Sequence, residues 1–126
     1  MKLRQQYHFR ESEKGLLAWD VLKLIKLSSG FEVKEVLLTD ISELEESFWY
    51  NDGEVPTTKD VAEHAKLIMN ANLSFPIILC SDGRVMDGMH RVGKAYIMGK
   101  ATIKVVQFSN YVEPDYIGKE PDELPY

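Results

Sequence analysis

The chain has 126 residues, a formal net charge of -5 at pH 7 and 44% hydrophobic residues. This length suits one domain with its own core, and the acidic balance disfavours nucleic acid as the ligand, because DNA-binding domains usually carry a basic face. The single cysteine excludes an intrachain disulfide and favours a cytoplasmic location. No stretch reaches the roughly 20 apolar residues of a membrane span, so we expect no membrane partner.

The first third of the chain predicts a polar start, a helix and a strand. Residues 1–14 are polar, and we expect them to be loosely held. Apolar residues recur at helical spacing over 16–29, which predicts an amphipathic helix. Alternating apolar and polar residues over 31–39 predict a strand.

The rest of the chain alternates helices and strands. A capping threonine and an apolar stripe of Val61, Ala65, Ile68 and Met69 predict a helix at 57–72. The tail, with three prolines and five acidic residues, predicts an irregular arm. The elements expected between them are a hairpin at 75–86, a helix at 90–98 ended by Gly99, and a strand at 101–108. This order predicts a single domain of the α+β class, with a small mixed sheet and packed helices over 1–126.

Asp87, Gly88, His90 and Arg91 lie together where the hairpin runs into the following helix. The first backbone N–H groups of a helix have no partner within the helix and lie at the positive end of its dipole, which favours an anion there. The glycine allows close approach to the backbone, the guanidinium matches phosphate oxygens, and the imidazole adds a donor or a proton acceptor. This turn predicts a phosphate site, whereas a plain turn with a solvated arginine is the alternative.

The segment 75–108, with its Gly88-Met89-His90-Arg91 turn and the alanine at 95, resembles the ParB/sulfiredoxin-like family. The resemblance covers 33–108 and leaves an N-terminal helical extension, 1–32, and an irregular acidic tail, 109–126. It implies a nucleotide, ATP or CTP with Mg²⁺, as the ligand. The residues that it implies as phosphate contacts are Gly88, His90 and Arg91. Met89, within the same turn, and Lys94, one turn on, are further candidates for contact with the nucleotide. Asp87 is the candidate for the metal, with fixing Arg91 or His90, or capping the helix, as the alternatives.

Two departures from the family narrow what the resemblance implies. Sulfiredoxin-like members carry a reactive cysteine where this chain has Met89, and a thioether cannot act as a thiolate. Cys80 lies in a buried-strand pattern, which predicts a core residue. Partition proteins continue into a DNA-binding domain that has no counterpart here. Sulfinic acid reduction and centromere binding are therefore both disfavoured.

Whether the expected site performs a reaction is left open by the sequence. A phosphoryl-transferring or nucleotide-hydrolysing enzyme needs a base, for which Glu43, Glu45, Glu46 and His90 are candidates. The alternative is a non-catalytic, nucleotide-responsive module that regulates a protein partner. His64, in the middle of a predicted helix, is interpreted as a surface residue, and Trp49 as a core or pocket-wall residue.

Overall fold

The computed structural model describes residues 5–50 and 53–126, and its strands form two sheets. Three α-helices accompany them: α1 (Val21–Ser28), α2 (Thr58–Asn70) and α3 (Met89–Ile97). The strands are β1 (Tyr7–Arg10), β2 (Leu17–Asp20), β3 (Lys34–Leu37), β4 (Ile77–Leu79), β5 (Val85–Asp87), β6 (Thr102–Gln107) and β7 (Tyr116–Ile117).

The larger sheet has four strands in the order β3-β6-β4-β5. Its β4 and β6 are parallel, and the other two pairs are antiparallel, so the sheet is mixed. The smaller sheet is antiparallel and has the order β1-β2-β7. The predicted α+β class with a small mixed sheet is confirmed.

Each face of the four-stranded sheet carries its own core, because successive side chains of a strand point to opposite faces. On one face, Ile77 and Val105 pack with Val92 and Ala95 of α3. On the other, the neighbouring residues of the same strands, among them Ile78 and Val106, pack with Trp19 and Leu24. The sheet therefore separates the α3 side of the molecule from the α1 side.

The N-terminal prediction was wrong in two places. Residues 7–10 form β1, and 17–20 form β2, whereas we expected a loose start and a helix over 16–29. The helix begins only at Val21, where the Asp20 side chain accepts a hydrogen bond from the Lys23 amide. The N-terminal extension is thus a hairpin and a helix rather than a purely helical segment.

The tail is more ordered than we expected. Its β7 pairs with β2, and the Trp19 indole N–H donates a hydrogen bond to the Val112 carbonyl at 2.8 Å. The other predicted elements lie close to their expected positions, and α2 begins with a capping box between Thr57 and Asp60. None of the helices in the described ranges is both long and apolar enough to cross a bilayer.

Candidate functional site

Gly88 has a left-handed backbone conformation, with φ of 103°, and directly precedes α3. A Cβ at this position would lie 2.6 Å from Cγ2 of Ile77, so the protein's own core already requires glycine here. No described side chain caps the helix. The Met89 side chain is buried in the core, and the amides of Arg91 and Val92 bond to the Gly88 carbonyl. Among the first amides, those of Met89 and His90 have no described partner. These two amides of α3 are therefore left for a ligand or for water.

His90, in the first turn of α3, is joined to His64 of α2 by a hydrogen bond of 2.9 Å between Nε2 of His90 and Nδ1 of His64. The ring centroids are 5.2 Å apart and the planes differ by 23°, so the two imidazoles lie nearly edge to edge. The Trp49 ring stacks on both, with centroids 4.5 Å from His64 and 4.7 Å from His90. The result is a pair of imidazoles covered by one indole.

The pKa of His90 is lowered from 6.5 to about 4. Burial is the largest cause, and the nearby His64 and Arg91 contribute to the same shift. His90 is therefore neutral near pH 7 and keeps both a donor and an acceptor nitrogen. One nitrogen is used in the bond to His64. A ligand that carries negative charge would favour protonation of His90.

Arg91 is engaged by the protein itself. Its Nη1 donates to the carbonyls of Pro76 at 2.6 Å and Phe75 at 3.3 Å, and its Nη2 lies 3.1 Å from an oxygen of Asp87. These bonds fasten α3 to the chain that enters β4 and to the end of β5. The guanidinium expected on a phosphate thus has a structural role here.

Lys94 also has a structural role, at the C-terminal end of α2. Its ammonium donates to the carbonyls of Ala71 at 2.6 Å and Met69 at 3.0 Å. A cation here stabilises the negative end of the α2 dipole and satisfies two terminal carbonyls. The structure therefore places Lys94 at the junction of the helices rather than beside the α3 amides.

The three candidate carboxylates lie apart from the histidine pair and in different environments. Glu43 is buried, accepts a hydrogen bond of 2.7 Å from the Val85 amide and lies 3.2 Å from the Arg84 guanidinium. Glu46 forms two bonds, of 2.8 and 2.9 Å, with the same guanidinium. Glu45 is exposed, as is Glu46, but of these three carboxylates it alone has no described partner. Glu43 and Glu46 therefore anchor β5 through Arg84.

Asp87 does not fit the role of a Mg²⁺ ligand well in this arrangement. A protein-bound Mg²⁺ needs oxygen ligands in near-octahedral geometry, and the only described hydrogen bond of Asp87 is to the cationic Arg91. The described residues contain no group of three or more His, Cys, Asp or Glu side chains placed for a metal ion. We derive no step through a metal.

A second group of polar side chains lies near Cys80, which is half-buried and packs against the core on the α1 side of the sheet. Burial raises the pKa of the Cys80 thiol, but the Arg10 guanidinium, 3.7 Å from Sγ, and two backbone amides outweigh it and lower the pKa. Arg10 also donates to His8 at 2.8 Å and lies over the Trp19 ring. Burial lowers the pKa of His8 to about 3. His8 and Arg10 belong to β1, which lies in the segment that we expected to be loosely held.

Sequence reasoning missed His64 as a member of the site, whereas Trp49 lies against the core and on the two imidazoles, in keeping with its interpretation as a core or pocket-wall residue. The predicted apolar stripe of α2 was also wrong, because Val61 and Met69 are 54% and 72% exposed and no residue of α2 is buried. Position 64 is four residues before Ile68, which packs on Gly93 of α3. The spacing of His64 and Ile68 is the signal that could have placed the histidine toward α3.

No family model, no curated protein and no solved structure matches this chain. The likeness to the ParB/sulfiredoxin-like family therefore stays a prediction. The chemistry of the site must be inferred from its own geometry: uncapped amides, two hydrogen-bonded imidazoles and an indole.

Proposed function

We propose that this chain binds a phosphate-bearing ligand, a nucleotide such as ATP or CTP, at the first turn of α3. The observation that supports it is the uncapped start of α3 beside the His64–His90 pair. Amides at a helix start donate to anionic oxygens, and the dipole adds favourable charge. The family resemblance gives the same location independently of these contacts.

The protonation state of His90 can change when an anionic ligand binds. With no anion bound, burial keeps His90 neutral, so the site contains no uncompensated charge. With a phosphate bound, His90 takes up a proton and forms a charge-assisted hydrogen bond. In this proposal Arg91 and Lys94 hold the helices in position, while the amides of Met89 and His90 and the imidazoles contact the phosphate.

Binding without turnover is the form of the proposal that the contacts favour. Two of the three candidate carboxylates, Glu43 and Glu46, are bonded to Arg84 and do not approach the histidine pair through any described contact. The chain would then act as a nucleotide-responsive module that presents its liganded state to a protein partner. Any Mg²⁺ would arrive with the nucleotide, since this ion usually binds largely through substrate phosphates.

Calorimetric titration with tripolyphosphate, ATP and CTP tests the proposal. We expect His90→Ala to weaken binding about tenfold, because it removes a hydrogen bond to a charged group worth roughly 1.5–3 kcal/mol. Lys66→Ala is the matched control, since Lys66 is an exposed cation of α2 without a described partner, and it should leave affinity unchanged. Absence of binding, or equal affinity in the His90 variant, would contradict the proposal.

An assay of released phosphate separates the module from the enzyme. The module predicts no turnover of ATP or CTP at saturating concentration with Mg²⁺ present. Turnover that disappears in Glu45→Gln, with nucleotide affinity retained, would instead establish the phosphoryl-transferring alternative.

A further inference from the structure

A cavity of about 420 Å³ lies on the α1 side of the four-stranded sheet, away from the histidine pair. Its walls come from the end of α1, the loop after α1, the chain entering β4, and β6. Most of the lining is apolar, and the apolar members are Ile25, Phe31, Val33, Phe75, Pro76, Ile78 and Val106. Cavities of this size and lining are typical of small-molecule sites.

The rim of this cavity exposes large apolar side chains that the fold leaves uncovered. Phe31, Val33 and Phe75 are each more than a third exposed, and Val33 is 51% exposed. Burying such side chains against an apolar ligand would be favourable, at about 25 cal/mol for each Å² removed from water. The body of the ligand is therefore expected to be apolar.

Polar recognition in the cavity is confined to two neighbouring groups. The Ser28 and Ser29 hydroxyls donate to carbonyls of their own helix. Asp87 and Arg91 are the only charged residues of the lining. Within the described contacts, Arg91 uses three of its five N–H groups, and Asp87 uses one of its two oxygens. The pair therefore keeps free donors beside a free acceptor.

The opposite charges of this pair disfavour singly charged ligands. An anion drawn to Arg91 would meet the carboxylate 3.1 Å from the guanidinium, and a cation drawn to Asp87 would meet the guanidinium. A neutral group with a donor next to an acceptor satisfies both at once. A carboxamide has this pattern: its oxygen accepts from Arg91 and its N–H donates to Asp87.

We propose that this cavity is a second binding site, which takes a small neutral molecule with an apolar, ring-sized body and a carboxamide-like edge. The site is separate from the phosphate site proposed above and does not depend on it. The proposed site uses Arg91 and Asp87 together. The ion pair that fastens α3 would therefore also form the hydrogen bonds to the polar end of the ligand.

A matched set of four probes tests the proposal: benzamide, benzoate, benzylamine and toluene share one ring and differ in the polar end. Chemical-shift titration of the isotope-labelled protein should show benzamide binding with a dissociation constant on the order of 1 mM. Benzoate and benzylamine should bind at least several-fold more weakly. No saturable binding of benzamide, or tighter binding of a charged probe, would overturn the proposal.

Two variants locate the site. Val33→Trp should fill the mouth of the cavity and abolish benzamide binding, whereas Val55→Trp, at an 86% exposed position outside the lining, should leave it intact. Asp87→Asn should reverse the preference toward benzoate, since it leaves the Arg91 charge unopposed. Equal benzamide affinity in the two tryptophan variants would place binding elsewhere and refute the assignment.

Discussion

His90 and Arg91 are adjacent in the sequence, yet they lie on two differently built sides of α3. On the imidazole side, His90 bonds to His64 beneath Trp49, and burial keeps His90 neutral near pH 7. On the guanidinium side, Arg91 is bound to Asp87 and to two carbonyls. The difference shows that two adjacent basic residues can have different roles. His90 can change its protonation state when a ligand binds, whereas Arg91 fixes the position of α3.

The largest expected effect comes from the residue on which both sides depend. Gly88→Ala adds strain from a positive φ and brings a Cβ within 2.6 Å of Ile77, so we expect a loss of about 3 kcal/mol in the free energy of unfolding. Urea denaturation measures it. Gly99→Ala, at the other end of α3, has a positive φ but open space and should cost only about 1 kcal/mol. Equal losses would show that the contact with Ile77 is relaxed.

Substitution of Arg91 should lower the free energy of unfolding more than substitution of His90. Arg91→Met leaves the Pro76 carbonyl and Asp87 without their donor, and we expect a loss of about 2 kcal/mol. His90→Ala should cost about 1 kcal/mol, because only one neutral hydrogen bond and a ring contact disappear. Denaturation curves of both variants at pH 7.5 decide the order. A larger loss in His90→Ala than in Arg91→Met would contradict the structural role of Arg91.

Acid should affect the two sides differently. The folded pKa of His90, about 4, and of His8, about 3, lie below the unfolded value of 6.5, so the unfolded chain binds more protons between these values. Stability is therefore fully present above pH 6.5 and falls as the pH drops toward 4. For half-exposed His90 we expect a contribution of about 1 kcal/mol after allowing for solvent screening.

Unfolding midpoints at pH 7.5 and 5.0 measure this acid sensitivity. His90→Gln should show a smaller loss on acidification than the parent chain, whereas Arg91→Met should show the same loss, because a guanidinium keeps its charge throughout. An unchanged loss in His90→Gln would mean that the pair is not buried in solution.

The smallest expected effect concerns the junction of α2 with α3. Lys94→Met removes the cation that binds the Met69 and Ala71 carbonyls, and we expect a loss of about 0.5–1 kcal/mol. Lys66→Met, on the exposed face of α2, should stay within about 0.5 kcal/mol of the parent. A thermal melt compares the two, and a neutral Lys94→Met would show that water replaces the ammonium at these carbonyls.

Elements with local signals could be predicted from the sequence. The capping box of Thr57 and Asp60 and the glycine after α3 act within a few residues of each other, and both helices lie where they were expected. The small sheet could not be predicted in this way. Its strands β2 and β7 are almost a hundred residues apart in the sequence, and Trp19 is buried where β2 pairs with both β1 and β7.

The site shows the same limit at the level of side chains. The turn at 87–91 was recognisable, because it joins a hairpin to a helix start. The partners of His90 and Arg91 depend on how α2 approaches α3 at Gly93 and on where the Pro76 carbonyl points. Neither follows from residue types alone, so a guanidinium that binds carbonyls looked the same in the sequence as one that awaits a phosphate.

The pairing of Leu17 with Ile117 also constrains the order in which the molecule can be completed. During synthesis the first hairpin leaves the ribosome long before the strand that finishes its sheet exists. Until then the edge of β2 has open amides and carbonyls, which are a template for wrong strand partners. Native closure of this sheet is therefore a late event in biogenesis, and the newly made chain depends on its last residues to protect its first.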